Sequence, residues 1–431
     1  MVDRRDRLHR VPESDAASDE RTPFEKDRDR LIYSSNFQRL GRVTQVVAPN
    51  ERFLTHNRLT HSLEVAQVAR GLANSLLRTP GQQAAINAAG GIDASVVEAA
   101  ALAHDLGHPP FGHVAEAELD RLLVAAGLPE GYEGNAQSFR IITKLGVRYS
   151  QIPGFNLTRA TLNAVLKYPW QHGGNPDKPQ KWGAYQTESA EFTWARELSP
   201  LPTQQVGLEA ALMDWADDIA YAVHDMSDFY RAGLIPLDRL ANDEGERDRF
   251  MAVEAQRLGV FPGDQEDVRT LFDEIAQWFP NDGPFVGTRR DRASLRSFTS
   301  SLISQYINAV SIQQQPDGGY GLTIDPGRER EVQLLKGLTW YYVINSPALT
   351  SQRFGQRSLI RALFGTLREA AASPHDVHIF PPFYREMLET GDHEPLRVVA
   401  DYIASMSEGQ VVEIHQRLTG QSLGSGLERM Q

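Results

Sequence analysis

The stretch of residues 101–118, ALAHDLGHPPFGHVAEAE, joins an apolar helical run to an unusual density of imidazoles and carboxylates. His104 and Asp105 lie side by side at the end of the run. After them come His108, His113 and Glu116. Imidazole nitrogen and carboxylate oxygen together suit a hard or borderline divalent metal, and the remaining groups could move protons around a bound water. A helix end that happens to be polar is the alternative, but a buried His–Asp pair needs a partner.

The composition is ordinary for a globular protein, with an acidic balance. Hydrophobic residues make up 41% and charged residues 23% of the 431, and the net charge is -12 at pH 7. The negative net charge argues against a protein that binds nucleic acid over its whole surface. A local basic patch, or an anionic substrate held through a metal, is compatible with it. The chain has no cysteine, so disulfides, thiol nucleophiles and thiolate zinc sites are excluded, and any metal must be held by His and carboxylates.

Changes in charge and apolar content along the sequence divide the chain into three parts. Residues 1–20 mix both charge signs with few apolar anchors, which predicts a mobile arm. We expect a catalytic core over residues 21–235 and a helical part over residues 236–431 that completes the same globular body. No run of 18 or more apolar residues occurs and the N-terminus is charged, so we expect a cytoplasmic protein without membrane contact.

Two further helical patterns carry polar side chains. Along RLTHSLEVAQVARGLANSLL, apolar residues trace one face and His61 lies in the first turn, where a lone histidine is more often a core residue than a ligand. Residues 208–231 show the same apolar spacing. The other face of that helix carries Asp214, Asp217 or Asp218, Tyr221, Asp225 and Asp228. Acids on one stripe repel one another, so this face is either a solvated surface or a metal and substrate face, and spacing alone leaves both open.

The remaining sequence predicts a long loop, further helices and one hairpin. Residues 168–185, YPWQHGGNPDKPQKWGAY, predict a surface loop of a length that is usually functional or mobile. After a polar span over residues 238–296, a β-hairpin is expected around PDGG, with strands over residues 310–315 and 320–324. The expected helices of this half cover residues 298–312, 331–343, 355–372 and 395–418.

His61, the pair His104–Asp105 and an aspartate on a later helix resemble the H…HD…D signature of the HD-domain phosphohydrolases. The segments HDLGHPPFGHVAE, RLTHSLEV, FQRLGRVTQV, YEGNAQSFR, LKYPW and ADDIAYAVHD resemble its bacterial dGTP triphosphohydrolase branch, which is similar to the vertebrate SAM-and-HD-domain dNTPase. These matches run from about residue 21 to 225, and fainter ones continue to about residue 406. The resemblance implies an all-α HD-domain fold with additional C-terminal helices, and the PDGG pattern adds one short β-hairpin.

The resemblance also implies roles for individual residues. The implied ligands of one divalent metal ion, Mn²⁺ or Mg²⁺, are His61, His104, Asp105 and Asp217. Asp217 is preferred to Asp218 because the family's aspartate has Tyr four residues on and Asp eight residues on, as Asp217 has. The implied catalytic residues are His113, its carboxylate partner Glu116, and His108 near the phosphates. The implied substrate-binding residues are Gln45, at the deoxyribose 3'-hydroxyl, with Arg58, Asn135, Lys167, Tyr221 and Asp225.

The implied reaction is metal-dependent hydrolysis of deoxynucleoside triphosphates, dGTP among them, to deoxynucleoside and tripolyphosphate. A homo-oligomer and a nucleotide effector would fit the resemblance, whereas the charge gives no indication of single-stranded nucleic acid as a partner. Two alternatives stay open: an HD phosphohydrolase for another nucleotide, and a nucleotide-sensing or single-strand-binding protein. The two-metal HD diesterases are disfavoured because the sequence offers no second cluster of candidate ligands beside HDLGH.

Overall fold

Helices form most of the regular structure in the described part of the chain. The computed structural model describes residues 2–10, 19–46, 57–198, 205–259, 265–316 and 318–422. Within these ranges the sheet has two antiparallel strands, Val310–Gln314 and Tyr320–Ile324, with Val310 opposite Ile324. The predicted all-α fold with one short hairpin is confirmed.

The helices divide between the two halves of the chain. The first half contains Pro23–Ile32, Ser35–Arg39, Arg58–Arg78, Gln83–Ala88, Ala94–Ala103, His113–Ala125, Gly134–Arg140, Arg159–Val165, Ser189–Arg196 and Leu208–Ala220. The second half contains Met226–Arg231, Leu237–Asn242, Glu244–Arg257, Gln265–Ala276, Arg289–Ile307, Pro326–Thr339, Pro347–Ala371, Pro382–Thr390, Pro395–Ser405 and Glu408–Leu418. No helix within the described ranges is both long and apolar enough to cross a membrane.

The helix Ala94–Ala103 lies at the centre of the main hydrophobic core. Its sequence, ASVVEAAALA, is apolar almost all round, and its small side chains let neighbouring helices approach closely. Pro23–Ile32, Arg58–Arg78, Arg159–Val165 and Leu208–Ala220 pack around it. Its C-terminal end therefore delivers the residues that follow, His104 and Asp105, into the interior of the protein.

A second hydrophobic core joins the two halves of the chain. The helix His113–Ala125 packs against Pro347–Ala371, and that helix in turn contacts Pro395–Ser405 and Glu408–Leu418. Leu119 and Leu123 lie in the same cluster as Leu363 of the C-terminal half. The helix that begins with His113 is thus held in place by residues more than two hundred positions later in the chain.

Several predicted elements differ from the structure, and the helix expected over residues 298–312 instead covers Arg289–Ile307 and is followed by the strand Val310–Gln314. The helix expected over residues 395–418 is two helices, because Ser407 caps the second one and forms a capping box with Gln410. The helix over residues 208–231 is interrupted by a π-helical turn, Tyr221–Asp225, which widens the helix locally. The span over residues 238–296, polar in sequence, contains helices whose buried faces include Phe250 and Phe272.

The start of the chain is fastened to the core. Arg7 Nη1 donates a hydrogen bond to Asp27 Oδ1 at 2.6 Å, and Arg4 Nη2 donates one to Glu209 Oε1 at 2.6 Å. The structure therefore differs from the predicted mobile arm over residues 2–10, because two arginines of this segment are hydrogen-bonded to buried carboxylates of the core. Residues 11–18 of the predicted arm lie outside the described residues.

Candidate metal and substrate site

Most of the residues predicted for the site line one cavity of about 390 Å³. Those that do are Gln45, Arg58, His61, His104, Asp105, His108, His113, Asn135, Lys167, Asp217 and Tyr221. The C-terminal half closes the cavity with Lys336 and with Arg353 of the helix Pro347–Ala371. Glu116 and Asp225 are not part of the lining.

The four predicted metal ligands come together at the buried end of this cavity. Candidate ligand atoms of His61, His104 and Asp105 all lie within 4.8 Å of one another. Asp217 Oδ1 lies 3.0 Å from His61 Nε2 and 3.7 Å from His104 Nε2. His61, His104 and Asp105 are buried, while the Asp217 side chain is 23% exposed on the cavity side.

The donor set fits a divalent cation. His104 Nδ1 lies 2.6 Å from the Ala101 carbonyl oxygen and must carry a proton to donate there, so Nε2 presents a lone pair in the neutral ring. That buried Nε2 has no hydrogen-bond partner among the described residues, and it lies 3.4 Å from Asp105 Oδ1. Buried acceptors that face one another are repulsive unless a cation lies between them.

Neighbouring cations keep the carboxylates of this group ionised. Arg58 Nη1 donates to Asp105 Oδ2 at 2.8 Å. Burial alone would raise the pKa of Asp105, but the Arg58 charge and the neighbouring imidazoles hold it well below its usual value. Burial likewise opposes ionisation of Asp217, whose pKa is nonetheless held well below normal, first by the charge of Lys167. The nearest Lys167–Asp217 distance is 3.3 Å.

The adjacent aspartate has different surroundings. Asp218 Oδ1 accepts a hydrogen bond from Lys336 Nζ at 2.6 Å. Burial raises the pKa of Asp218 despite that lysine. The structure thus brings Asp217, and not Asp218, to the histidines His61 and His104.

His113 and Glu116 form a hydrogen-bonded pair beside the candidate metal ligands. His113 Nδ1 lies 2.6 Å from Glu116 Oε2, within the first turn of the helix His113–Ala125. The imidazole is 73% exposed toward the cavity, whereas the carboxylate behind it is buried. Burial opposes ionisation of Glu116, but its hydrogen bond to His113 and the nearby positive charges lower its pKa below normal. An ionised Glu116 orients the ring and leaves Nε2 on the exposed side.

His108 lies between these two groups. Its Nδ1 is 2.9 Å from Asp105 Oδ1, and its ring centroid is 5.0 Å from that of His113. Burial, and then the charge of Arg58, lower the pKa of His108 to about 4. The ring is therefore neutral at pH 7.

His108, His113 and Glu116 are also a second group of candidate metal ligands within 4.8 Å of one another. The expectation that no second cluster of candidate ligands lies beside HDLGH is therefore wrong. It failed because the helix turn that pairs His113 with Glu116 also brings them against His108, and sequence spacing alone does not show this contact.

The glycine of HDLGH is required by a close helix contact. A Cβ at Gly107 would lie 2.2 Å from Gly134 O and 2.3 Å from Ser138 N. Ser138 Oγ also accepts a hydrogen bond from Gly107 N and donates one to His104 O, both at 2.9 Å. The segments HDLGH and YEGNAQSFR are therefore two sides of one packed contact.

Sequence reasoning missed Lys181, which lies in the loop over residues 168–185. Its Nζ is 3.1 Å from Glu133 Oε1 and 3.4 Å from Glu116 Oε1, and its side chain lines the cavity. Glu133 accepts hydrogen bonds from the backbone and side chain of Asn135, which ties that predicted residue into the same cluster. The only sequence signal is the length of the loop, which indicates function but not which residue carries it.

Asp225 does not reach the cavity, although the sequence places it on the same helix face as Asp217. It is 1% exposed and belongs to the π-helical turn Tyr221–Asp225. A π turn has more residues than an α turn, so a side chain eight positions on no longer faces the same way. Tyr221, at the start of the turn, does line the cavity.

Comparisons with known proteins identify the family of this chain. The HD domain family matches residues 58–222, and a phosphohydrolase-associated domain matches residues 322–417. A deoxyguanosinetriphosphate triphosphohydrolase-like protein of Streptomyces coelicolor is 35% identical over 422 residues, with 93% of each chain covered. Proteins of the same description are 34% identical in Corynebacterium efficiens, covering 93% of this chain and 92% of that one, and 32% identical in Wolinella succinogenes, covering 94% and 97%. The chain is therefore an HD-domain hydrolase and belongs to the deoxyguanosinetriphosphate triphosphohydrolase-like family.

Proposed function

We propose that the protein hydrolyses deoxynucleoside triphosphates, dGTP among them, to the deoxynucleoside and tripolyphosphate. The observation that carries the proposal is a buried set of metal-ligand atoms at the end of a cavity with an excess of cations. Five cationic side chains line the cavity with three carboxylates. These cations are Arg58, Lys167, Lys181, Lys336 and Arg353. A triphosphate carries about four negative charges, which must be neutralised before its phosphorus can be attacked.

His61, His104, Asp105 and Asp217 would hold one divalent ion, with Mn²⁺ or Mg²⁺ as the candidates. Such an ion, when bound, neutralises phosphate oxygens and lowers the pKa of a water molecule. Four protein ligands are fewer than the coordination number of these ions, so room is left for the substrate.

His113 would transfer the proton. Glu116 accepts the hydrogen bond from His113 Nδ1, so in the neutral ring the exposed Nε2 has the lone pair. That nitrogen can take a proton from water or, once protonated, give one to the departing 5'-oxygen of the nucleoside. His108 is neutral at pH 7, so it adds no positive charge to that of the arginine and lysine side chains of the cavity.

Gln45 and Tyr221 would select the sugar. Both line the cavity, and the buried Gln45 Oε1 has no hydrogen-bond partner in the part of the chain that the structure describes. A 3'-hydroxyl would satisfy that oxygen, whereas crowding of the 2' position by Tyr221 would disfavour ribonucleotides.

The decisive experiment incubates the purified protein with each of the four dNTPs and four NTPs, with Mn²⁺ or Mg²⁺ and with ¹⁸O-labelled water. We expect dNTP hydrolysis, label in tripolyphosphate and none in the nucleoside. Label in a released nucleoside monophosphate with pyrophosphate as co-product would contradict the proposal and favour a different HD phosphohydrolase. Two metal ions per chain, measured by elemental analysis, would favour the two-metal alternative that the His108 group leaves open.

The family resemblance also suggests a homo-oligomer with a nucleotide effector, and we propose these on that ground alone. Light scattering of the purified protein, with and without dNTP, would measure the oligomeric state. Activation of one dNTP's hydrolysis by another would reveal an effector.

A further inference from the structure

One carboxylate oxygen from the C-terminal half accepts hydrogen bonds from two loops of the cavity. Glu408 Oε1 accepts from Thr44 N at 2.8 Å and from Phe111 N at 3.1 Å. Thr44 and Phe111 both line the cavity, but they belong to different segments of the N-terminal half. Glu408 is the first residue of the helix Glu408–Leu418, immediately after the helix break at Ser407.

The two loops carry groups with different tasks under the proposed function. Thr44 precedes Gln45, the candidate for sugar recognition, and Phe111 lies two residues before His113. A single acceptor thus fixes the backbone beside both groups. Carboxylates that accept backbone N–H bonds make stronger hydrogen bonds than neutral acceptors do.

The turn before His113 needs such an anchor. Phe111 has φ of 70° and Gly112 has φ of 58°, and a left-handed backbone is unfavourable for phenylalanine. Strained turns persist only when the surrounding contacts hold them. The amide of Phe111 is held by Glu408 at this turn.

A second side chain ties the same regions together from another direction. Arg39 Nη2 donates to Leu106 O and to His108 O, both at 2.8 Å, while Arg39 Nη1 donates to Met406 O at 3.2 Å. Residues 406–408, where the last two helices of the described chain meet, are therefore bonded to residues 106–111 through both Arg39 and Glu408.

We propose that Glu408 is a positioning residue that fixes the Gln45 loop relative to the His113 turn, so that the C-terminal helices set both sugar selectivity and proton transfer. Its effect on turnover rests on the proposed function, while the two hydrogen bonds stand independently of it. Glu408 reaches the reaction through the backbone of Thr44 and Phe111, and it does not line the cavity.

The first test compares Glu408→Ala with Glu408→Gln. The glutamine oxygen can still accept both N–H groups, so Glu408→Gln should retain most activity. Glu408→Ala should lower kcat by about 10- to 100-fold, since small displacements of catalytic groups cost that much, and should reduce the dGTP-over-GTP ratio of kcat/KM. Glu413→Ala is the matched control on the same helix, where the glutamate is exposed and contacts Arg417. Equal losses in the alanine and glutamine variants of Glu408 would overturn the acceptor role.

A second test asks whether Glu408 acts through His113. In a His113→Ala background, Glu408→Ala should lower kcat little further, because the group that it positions is already gone. A full additional loss of kcat in the double variant would show that Glu408 acts elsewhere.

A third test does not depend on activity. Hydrogen exchange should accelerate in the peptides that contain Thr44 and Phe111 in Glu408→Ala, and not in Glu413→Ala. Unchanged hydrogen exchange in those peptides would overturn the positioning role of Glu408 even if turnover fell. If the wild-type protein hydrolysed no dNTP, the proposed function would fail, and the exchange result would still decide whether Glu408 holds the two loops.

Discussion

At the scale of single residues, the structure separates two neighbouring aspartates by their partners. Asp217 faces His61 and His104, whereas Asp218 is bonded to Lys336. We expect Asp217→Ala to lose bound metal and turnover together, because an incomplete ligand set binds weakly. Asp218→Ala is the matched control and should keep its metal. Elemental analysis of both proteins with parallel kcat measurements decides the matter, and the reverse pattern would show that the assignment within the pair is wrong.

Lys181 leads to a prediction about pH. Its positive charge near Glu116 favours the ionised carboxylate and so lowers the pKa of Glu116. Lys181→Met should raise that pKa, so Glu116 would become protonated at a higher pH and would stop accepting the hydrogen bond from His113. Where protonation of Glu116 limits turnover, the acid limb of the kcat profile should move to higher pH. Lys178→Met, in the same loop but outside the cavity lining, is the control. An unmoved acid limb would remove Lys181 from the proton-transfer group.

The residue types of the site and the pairing of His113 with Glu116 could be predicted from the sequence and its family resemblance, but the contacts of Lys181 could not. The motif spacing predicts His104, Asp105, His113 and Glu116, because they lie within one short segment whose geometry is local. Lys181 could not be predicted, since its position depends on how a loop rich in Pro and Gly folds back over the helix Gly134–Arg140. Local periodicity contains no information about such a contact.

At the scale of elements, the turn between HDLGH and the helix His113–Ala125 is tightly constrained. Gly112 has φ of 58° and ψ of -136°, and a Cβ there would lie 2.8 Å from Arg58 Nη2. Arg58 in turn holds Asp105. The turn therefore couples backbone conformation to the candidate metal ligands.

Gly112→Ala should destabilise the protein by about 1–3 kcal/mol, the usual cost of a strained backbone, and should weaken metal binding through Arg58. Gly365→Ala provides a control of opposite sign. It lies within the helix Pro347–Ala371 with nothing within 4 Å of an added Cβ, so alanine should stabilise the helix by about 0.5–1 kcal/mol. Urea unfolding and metal titration measure both effects. Equal stability of Gly112→Ala and the wild type would show that the turn is not strained.

The helices and the hairpin could largely be predicted from the sequence, and the errors have local causes. The π-helical turn Tyr221–Asp225 leaves no sign in the spacing of apolar residues, which continues through it. The break at Ser407 does have a signal, because Ser407 and Gln410 have the spacing of a capping box. An apolar pattern that continues across the break conceals it.

At the scale of the whole molecule, a buried ion network joins the two halves. Arg140 donates to both oxygens of Asp401 and to Glu188 Oε1, with distances of 2.6–3.0 Å. All three side chains are buried, and Asp401 belongs to the C-terminal helix Pro395–Ser405. The sequence could not predict this pairing, because its members lie far apart in the chain.

Replacement of Arg140 should lower the free energy of unfolding substantially. Arg140→Ala leaves two buried carboxylates without their cation, and we expect a loss of about 3–5 kcal/mol in the free energy of unfolding. Arg290→Ala breaks an exposed pair with Asp282 and should change that free energy little. Urea unfolding of the two variants makes the comparison. Similar values for both would mean that the network does not hold the halves together.

The ion pair between Arg7 and Asp27 affects how the protein would be degraded. Asp27 is fully buried and receives hydrogen bonds from Thr158, but the cation opposite it is supplied by Arg7. An exopeptidase that removed the first ten residues would remove the arginine that is hydrogen-bonded to this buried carboxylate, and breaking a buried ion pair is strongly destabilising. The trimmed protein should unfold at a lower temperature and expose further cleavage sites. Resistance to digestion from the N-terminus would then depend on how tightly Arg7 holds its carboxylate.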